Sequence, residues 1–221
     1  MKQILSNVPL DTVLHPSGLC FVTLTDKLKK RIGFNLFNFK TQRIVRIKKS
    51  DYLRFKFGPP FEEIKNQMKD YLTCSVETNS QGYINVIYPT GEMGIFNKNG
   101  LLVWLGDLAY HEKPVQSIAL VNNDIWTVCP EENAIVRYKT ALNRFDFRIG
   151  GKNAPVFSNP CQVRFYDDQL YVCCKDTGQI KTVQLNDFVI KNYLSFDSEI
   201  YDYIRYQDKE IVMLSTGTYI I

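Results

Sequence analysis

The fold this sequence predicts over residues 1–221 is all-β: a five-bladed β-propeller of four-stranded antiparallel blades. Three observations predict it. A strand–turn–strand pattern recurs along the chain, the clearest units add two further strands, and the two chain ends complement one another. Composition agrees, since 13% of residues are aromatic, a bias that favours strands. The 45% hydrophobic and 23% charged residues are those of an ordinary folded domain.

The repeat emerges when IALVNNDIWTVC (118–129) is set above VRFYDDQLYVCC (163–174) and IRYQDKEIVMLS (204–215). Each has an apolar strand, a short polar turn and a second apolar strand. VETNSQGYINVI (76–87) and TVLHPSGLCFVT (12–23) fit the same frame. The second strand then starts at Leu19, Tyr83, Ile125, Leu170 and Ile211, at intervals of 64, 42, 45 and 41 residues. A period of about 40–50 residues built from short strands is that of a propeller blade. Two units continue through a turn (PEEN, KDTG) into a third strand (AIVRYK, QIKTVQL) and a fourth (RFDFRI, FVIKNYL). GGKN reads as a turn between blades.

The irregularities are informative. The first interval is the longest, and its excess falls near 50–70. There PPFEEIKNQMKDYL predicts one short helix near 61–70, opened by Pro60, with acids in its first turn and Phe61, Ile64 and Met68 on one face. The last unit stops after its third strand, TYII. KQILS, at the other end of the chain, would complete that blade and remove its open edge. A single domain then uses the whole chain.

The segment LYVCCKDTGQIKTVQL resembles the repeats of YVTN-type and NHL-type propellers: an aromatic–Val strand, an Asp-containing turn and an Ile-led return strand. The resemblance covers two of the five units and implies blade geometry, not chemistry.

Several function classes drop out. No apolar run approaches the ~18 residues of a membrane span, and MKQILSNVPLDTV lacks the features of a signal peptide. A cytoplasmic location is expected. Cys20, Cys74, Cys129, Cys161, Cys173 and Cys174 form no C-x-x-C and sit mostly in apolar strands, so buried, inert thiols are expected. His15 and His111 are too few for a His-rich metal site. G-x-G-x-x-G, G-x-S-x-G and a P-loop are absent. No cofactor and no metal are expected.

In a propeller the innermost strand of each blade lines a central channel. The polar column at its start is Asp11, Ser75, Ser117, Gln162 and Tyr203, with Asp202 one place earlier, and these residues are expected at the channel mouth. Solvated strand ends explain such a column, and so does a ring of hydrogen-bonding groups around a small molecule. Asp11, Glu77 and Asp202 also supply the carboxylates a glycoside hydrolase needs about 5–10 Å apart, one acid and one base or nucleophile.

Charge is unevenly spread. The chain is +4 overall, yet residues 27–56 alone are +10: Lys27, Lys29, Lys30, Arg31, Lys40, Arg43, Arg46, Lys48, Lys49, Arg54 and Lys56 against Asp51. Phe34, Phe37, Phe39, Tyr52, Phe55 and Phe57 are interleaved with them. Cations beside aromatic faces suit single-stranded nucleic acid. In FNLFNF and YLRFKF, however, the alternation reads as strands with aromatics inward and cations on a solvated face.

The expectation from sequence is a non-catalytic propeller scaffold that presents this basic surface to a macromolecular partner. A protein is the first choice of partner and nucleic acid the second, with no membrane. The alternative is a small-molecule or carbohydrate-processing hydrolase with Asp11, Glu77 and Asp202 at the channel mouth. The two differ in one respect: the hydrolase must bring two of those carboxylates within ~10 Å in an open cleft.

Overall fold

The computed structural model describes residues 1–26, 31–68, 70–72, 74–154 and 156–221. It is a ring of five four-stranded antiparallel sheets. The chain begins with β1 (Lys2–Leu5), which belongs to the last blade. Blade 1 is β2 (Asp11–His15), β3 (Gly18–Asp26), β4 (Arg31–Asn38) and β5 (Arg43–Arg46). Helices α1 (Lys49–Phe57) and α2 (Phe61–Gln67) follow. Blade 2 is β6 (Ser75–Thr78), β7 (Ile84–Ile87), β8 (Glu92–Phe96) and β9 (Leu102–Asp107). A two-residue ribbon, β10 (Ala109–Tyr110) with β11 (Lys113–Pro114), leads on.

Blade 3 is β12 (Gln116–Val121), β13 (Asp124–Cys129), β14 (Ala134–Lys139) and β15 (Arg144–Gly150). Blade 4 is β16 (Pro160–Tyr166), β17 (Gln169–Cys174), β18 (Gln179–Gln184) and β19 (Ile190–Ser195). Blade 5 is β20 (Ile200–Tyr206), β21 (Lys209–Leu214) and β22 (Gly217–Ile220), and β1 pairs antiparallel with β22 as its fourth strand. The closure expected from KQILS and TYII is the one observed. The seam between blades 5 and 1 is held further by the Tyr206 hydroxyl, which donates to Pro16 O at 3.0 Å.

Each sheet is apolar on both faces because each packs against a neighbour on either side. Strands β7 and β13 show it: every residue of Ile84–Ile87 and of Ile125–Cys129 is buried. Trp126, Val128 and Ile135 of blade 3 meet Val163, Leu170 and Val172 of blade 4 in one such seam. Burial at about 25 cal/mol per Å² of apolar surface makes these seams the main stabilising term.

Sequence and structure differ at YLRFKF, which is helix and not strand. Its buried residues are Tyr52, Leu53, Lys56 and Phe57, a helical spacing. The period-2 alternation misled because Lys56, expected on a solvated face, points inward. The described residues therefore hold two α-helices where one was expected. Together they fill the wedge between blades 1 and 2: Tyr52, Leu53, Phe57, Phe61 and Ile64 pack on Cys20, Val22 and Phe34 from one side and on Ile84, Val86 and Phe96 from the other. The described residues contain no helix long and apolar enough to cross a membrane.

Candidate functional site

The inner strands β2, β6, β12, β16 and β20 surround the channel. Hairpin register places Asp11, Gln116, Gln162 and Asp202 at equivalent points, opposite Val22, Val128, Cys173 and Met213, while Ser117 beside Gln116 is left unpaired. Blade 5 is thus offset by one from the sequence frame. Asp202, not Tyr203, occupies the column. Tyr203 is fully buried against Tyr171 in a blade 4–5 seam, 5.4 Å between ring centroids, and takes no place at the mouth. The offset arises because β21 starts at Lys209, two residues before the Ile211 of the sequence frame.

Near the mouth the ladders skip Ser117, Cys161 and Tyr201, so three inner strands bulge there. Bulges bend a strand and re-aim its side chains. Serines stitch neighbouring blades at this level. The Ile118 N–H donates to Ser75 Oγ at 3.4 Å, and the Val163 N–H donates to Ser117 Oγ at 3.2 Å. Two of the column's polar residues therefore hold the ring together. Asp11, Ser75, Ser117, Gln162 and Asp202 all line one open cavity of about 770 Å³, as does Glu77.

Across that cavity three blades meet at one guanidinium. Arg164 of β16 donates from Nη2 to Asp202 Oδ2 at 2.8 Å and from Nε to Asp202 Oδ1 at 3.4 Å. Its Nη1 lies 3.7 Å from Glu77 Oε1. Asp202 Oδ1 also accepts the Tyr203 N–H at 2.8 Å. Glu77 and Asp202 are therefore brought together, and Asp11 is not part of the pair. Burial pushes the Glu77 carboxyl above its usual range; Arg164 opposes this and Asp202 adds to it.

Asp11 has its own partner. Lys56 reaches in from α1 and forms an ion pair with Asp11, its ammonium also donating to Leu72 O at 3.2 Å. The two side chains are 12% and 4% exposed, so the pair is nearly dry. Burial outweighs the Lys56 ammonium and pushes the Asp11 carboxyl up to about 6. The Asp11 Oδ1 accepts the N–H of Thr12 at 3.0 Å. Lys175 also lines the cavity, its ammonium 4.9 Å from the centre of the Tyr201 ring. Among the described residues no group of three His, Cys, Asp or Glu side chains could hold a metal ion.

No protein family matches this chain, and no curated protein does. Solved structures do. A streptogramin B lyase is 13% identical with a TM-score of 0.54, over 100% of this chain and 70% of its own. The virginiamycin B lyase of Staphylococcus aureus is 12% identical with the same TM-score, over 100% and 72%. These likenesses are of fold: the chain is a β-propeller. The narrower YVTN or NHL resemblance has no counterpart among these matches.

The basic residues divide. Lys27, Lys29 and Lys30 lie outside the described residues. Arg31, Arg43, Arg46, Lys48, Lys49 and Arg54 are exposed, as is Lys40. Lys56 is removed from the surface set by its burial beside Asp11. Arg164 and Lys175 went unnoticed in the sequence, although Arg164 carries a signal: the equivalent residues of blades 1, 3 and 5 are Val13, Ala119 and Ile204.

Proposed function

We propose that the channel mouth binds a small hydrogen-bonding molecule of no net charge, and that it binds without hydrolysing. The observation that carries this reading is the Arg164 guanidinium held between Glu77 and Asp202 in an open cavity. A volume of about 770 Å³ lies within the range of small-molecule sites. Its charged lining balances, with Asp11, Glu77 and Asp202 against Lys56, Arg164 and Lys175. A charged ligand would upset that balance, at a desolvation cost with no compensating ion pair.

The proximity of Glu77 and Asp202 meets the distance requirement of the hydrolase reading, but their engagement argues against it. A hydrolytic pair needs both carboxylates free to act on substrate or water, one as acid and one as base or nucleophile. Asp202 spends both oxygens on Arg164 and on a backbone N–H. The lyases of similar fold are named for streptogramin B and for virginiamycin B, and a likeness of 12–13% does not carry that chemistry here.

Thermal unfolding in the presence of sucrose, myo-inositol, glycine, succinate and putrescine tests the proposal. A saturable rise in Tm with the neutral or zwitterionic compounds, smaller in Arg164→Lys, is expected. No saturable rise with any compound, a rise confined to succinate or putrescine, or one equal in Arg164→Lys contradicts it. Release of nitrophenol from nitrophenyl glycosides that is lost in Asp202→Asn would instead establish the hydrolase.

A further inference from the structure

We propose that β5, the outer strand of blade 1, is a docking edge for an acidic, extended peptide segment of another protein, which adds to the blade as a fifth strand. The edge is open, since among the described residues β5 pairs only with β4. Among the outer strands β1, β5, β9, β15 and β19, it is the one in which every residue is exposed. Ile44 is 50% exposed and Val45 46%. The Ile47 N–H donates to Phe34 O at 2.9 Å, so hydrogen-bonded pairs fall at Ile47, Val45 and Arg43. The N–H and C=O groups of Ile44 and Arg46 therefore face outward, as an added strand requires.

The surrounding charge selects the partner. Arg31, Lys40, Arg43, Arg46 and Lys48 are exposed and form no ion pair with a carboxylate among the described residues. Lys48 and Lys49 stand at the N-terminus of α1, the end at which a helix dipole disfavours cations. This face therefore concentrates positive potential, with Asp51 in the first turn of α1 the one acid of residues 27–56. Alternation along β5 puts Arg43 and Val45 on one face and Ile44 and Arg46 on the other. A partner segment with the order acid–apolar–apolar–acid sets a carboxylate opposite each arginine and an aliphatic group opposite Ile44 and Val45.

Fluorescence anisotropy with a labelled octapeptide centred on Glu-Val-Val-Glu tests this, beside a Lys-Val-Val-Lys control and an oligouridylate. Saturable binding of the acidic peptide alone is expected, weakening with salt and falling at least tenfold in Arg43→Gln/Arg46→Gln. Ile44→Pro removes an outward N–H and spares the ladder to β4, so it should abolish binding at unchanged Tm, whereas Ile44→Ala should retain it. If Ile44→Pro is unstable, amide exchange in the wild type replaces it: the Ile44 and Arg46 amides should slow when the peptide is bound. Absence of binding, an Ile44→Pro variant that folds and binds normally, unslowed amides, or tighter binding of oligouridylate overturns the proposal.

Discussion

Arg164 Nη2 and Asp202 Oδ2 lie 2.8 Å apart, joining blades 4 and 5 at the rim of a cavity rather than within a seam. The pair is partly sheltered, with side chains 21% and 14% exposed. Glu77 approaches the same guanidinium from blade 2, so one side chain couples three of the five blades. Site and scaffold therefore share a residue, and the consequences can be measured.

Replacement of Asp202 by Asn removes the charge from this pair and weakens the acceptor that caps the Tyr203 N–H. Loss of one partner from a fully buried pair costs about 3–5 kcal/mol, and from an exposed pair less than about 1. The intermediate burial here predicts a loss of about 1–3 kcal/mol in urea unfolding. Asp167→Asn should cost less than about 1 kcal/mol, because Asp167 meets Arg205 with its own side chain 72% exposed.

The Asp11 carboxyl titrates near 6 in the fold against 3.8 in its ordinary state. A raised carboxylate binds its proton more tightly in the native protein, so its contribution is fully present below about 4 and is lost as pH rises through about 6. Stability of the wild type relative to Asp11→Asn should therefore increase by about 1–3 kcal/mol between pH 7.5 and pH 4.5. Paired urea titrations at the two pH values check this, and titration of the other carboxylates largely cancels in the difference.

Much of the fold was legible because strands alternate with turns at a period that backbone geometry imposes. Closure was legible too, since TYII lacks a partner that KQILS supplies. What escaped was whatever a single residue could disguise. Lys56 made a helix look like an alternating strand, and burial of a lysine is expected only where a carboxylate waits for it, here Asp11, 45 residues away in sequence. Arg164 went unnoticed as one cation among the chain's 27. Its partners, Glu77 and Asp202, sit on strands of other blades, so only closure of the ring brings the three together.

Gly217 marks the closing seam. Its φ is +142°, and a Cβ there would stand 2.5 Å from Leu5 O. Gly217→Ala should therefore lower stability by about 2 kcal/mol or more through strain and displacement of β1. The expected signature is a lower Tm with faster amide exchange in β1 and β22 than in blade 3. Uniform exchange across all blades would place the weak point elsewhere.

All six cysteines are free, and five are buried. Burial pushes the thiols of Cys20 and Cys161 up to about 12 and that of Cys74 to about 11. Thiolate is the reacting form, so native protein at pH 8 should resist iodoacetamide, with six sites labelled only in denaturant. Mass spectrometry after timed labelling distinguishes the two states.

The central claim is that a small molecule binds at the Arg164 guanidinium. NMR of the arginine Nε–H groups follows it directly, with the Arg164 signal assigned by its loss in Arg164→Lys. Titration with whichever neutral or zwitterionic compound raises Tm most should move the Arg164 signal saturably and leave those of Arg43 and Arg46 in place. An Arg164 signal that stays fixed through saturation of the thermal effect would contradict the account.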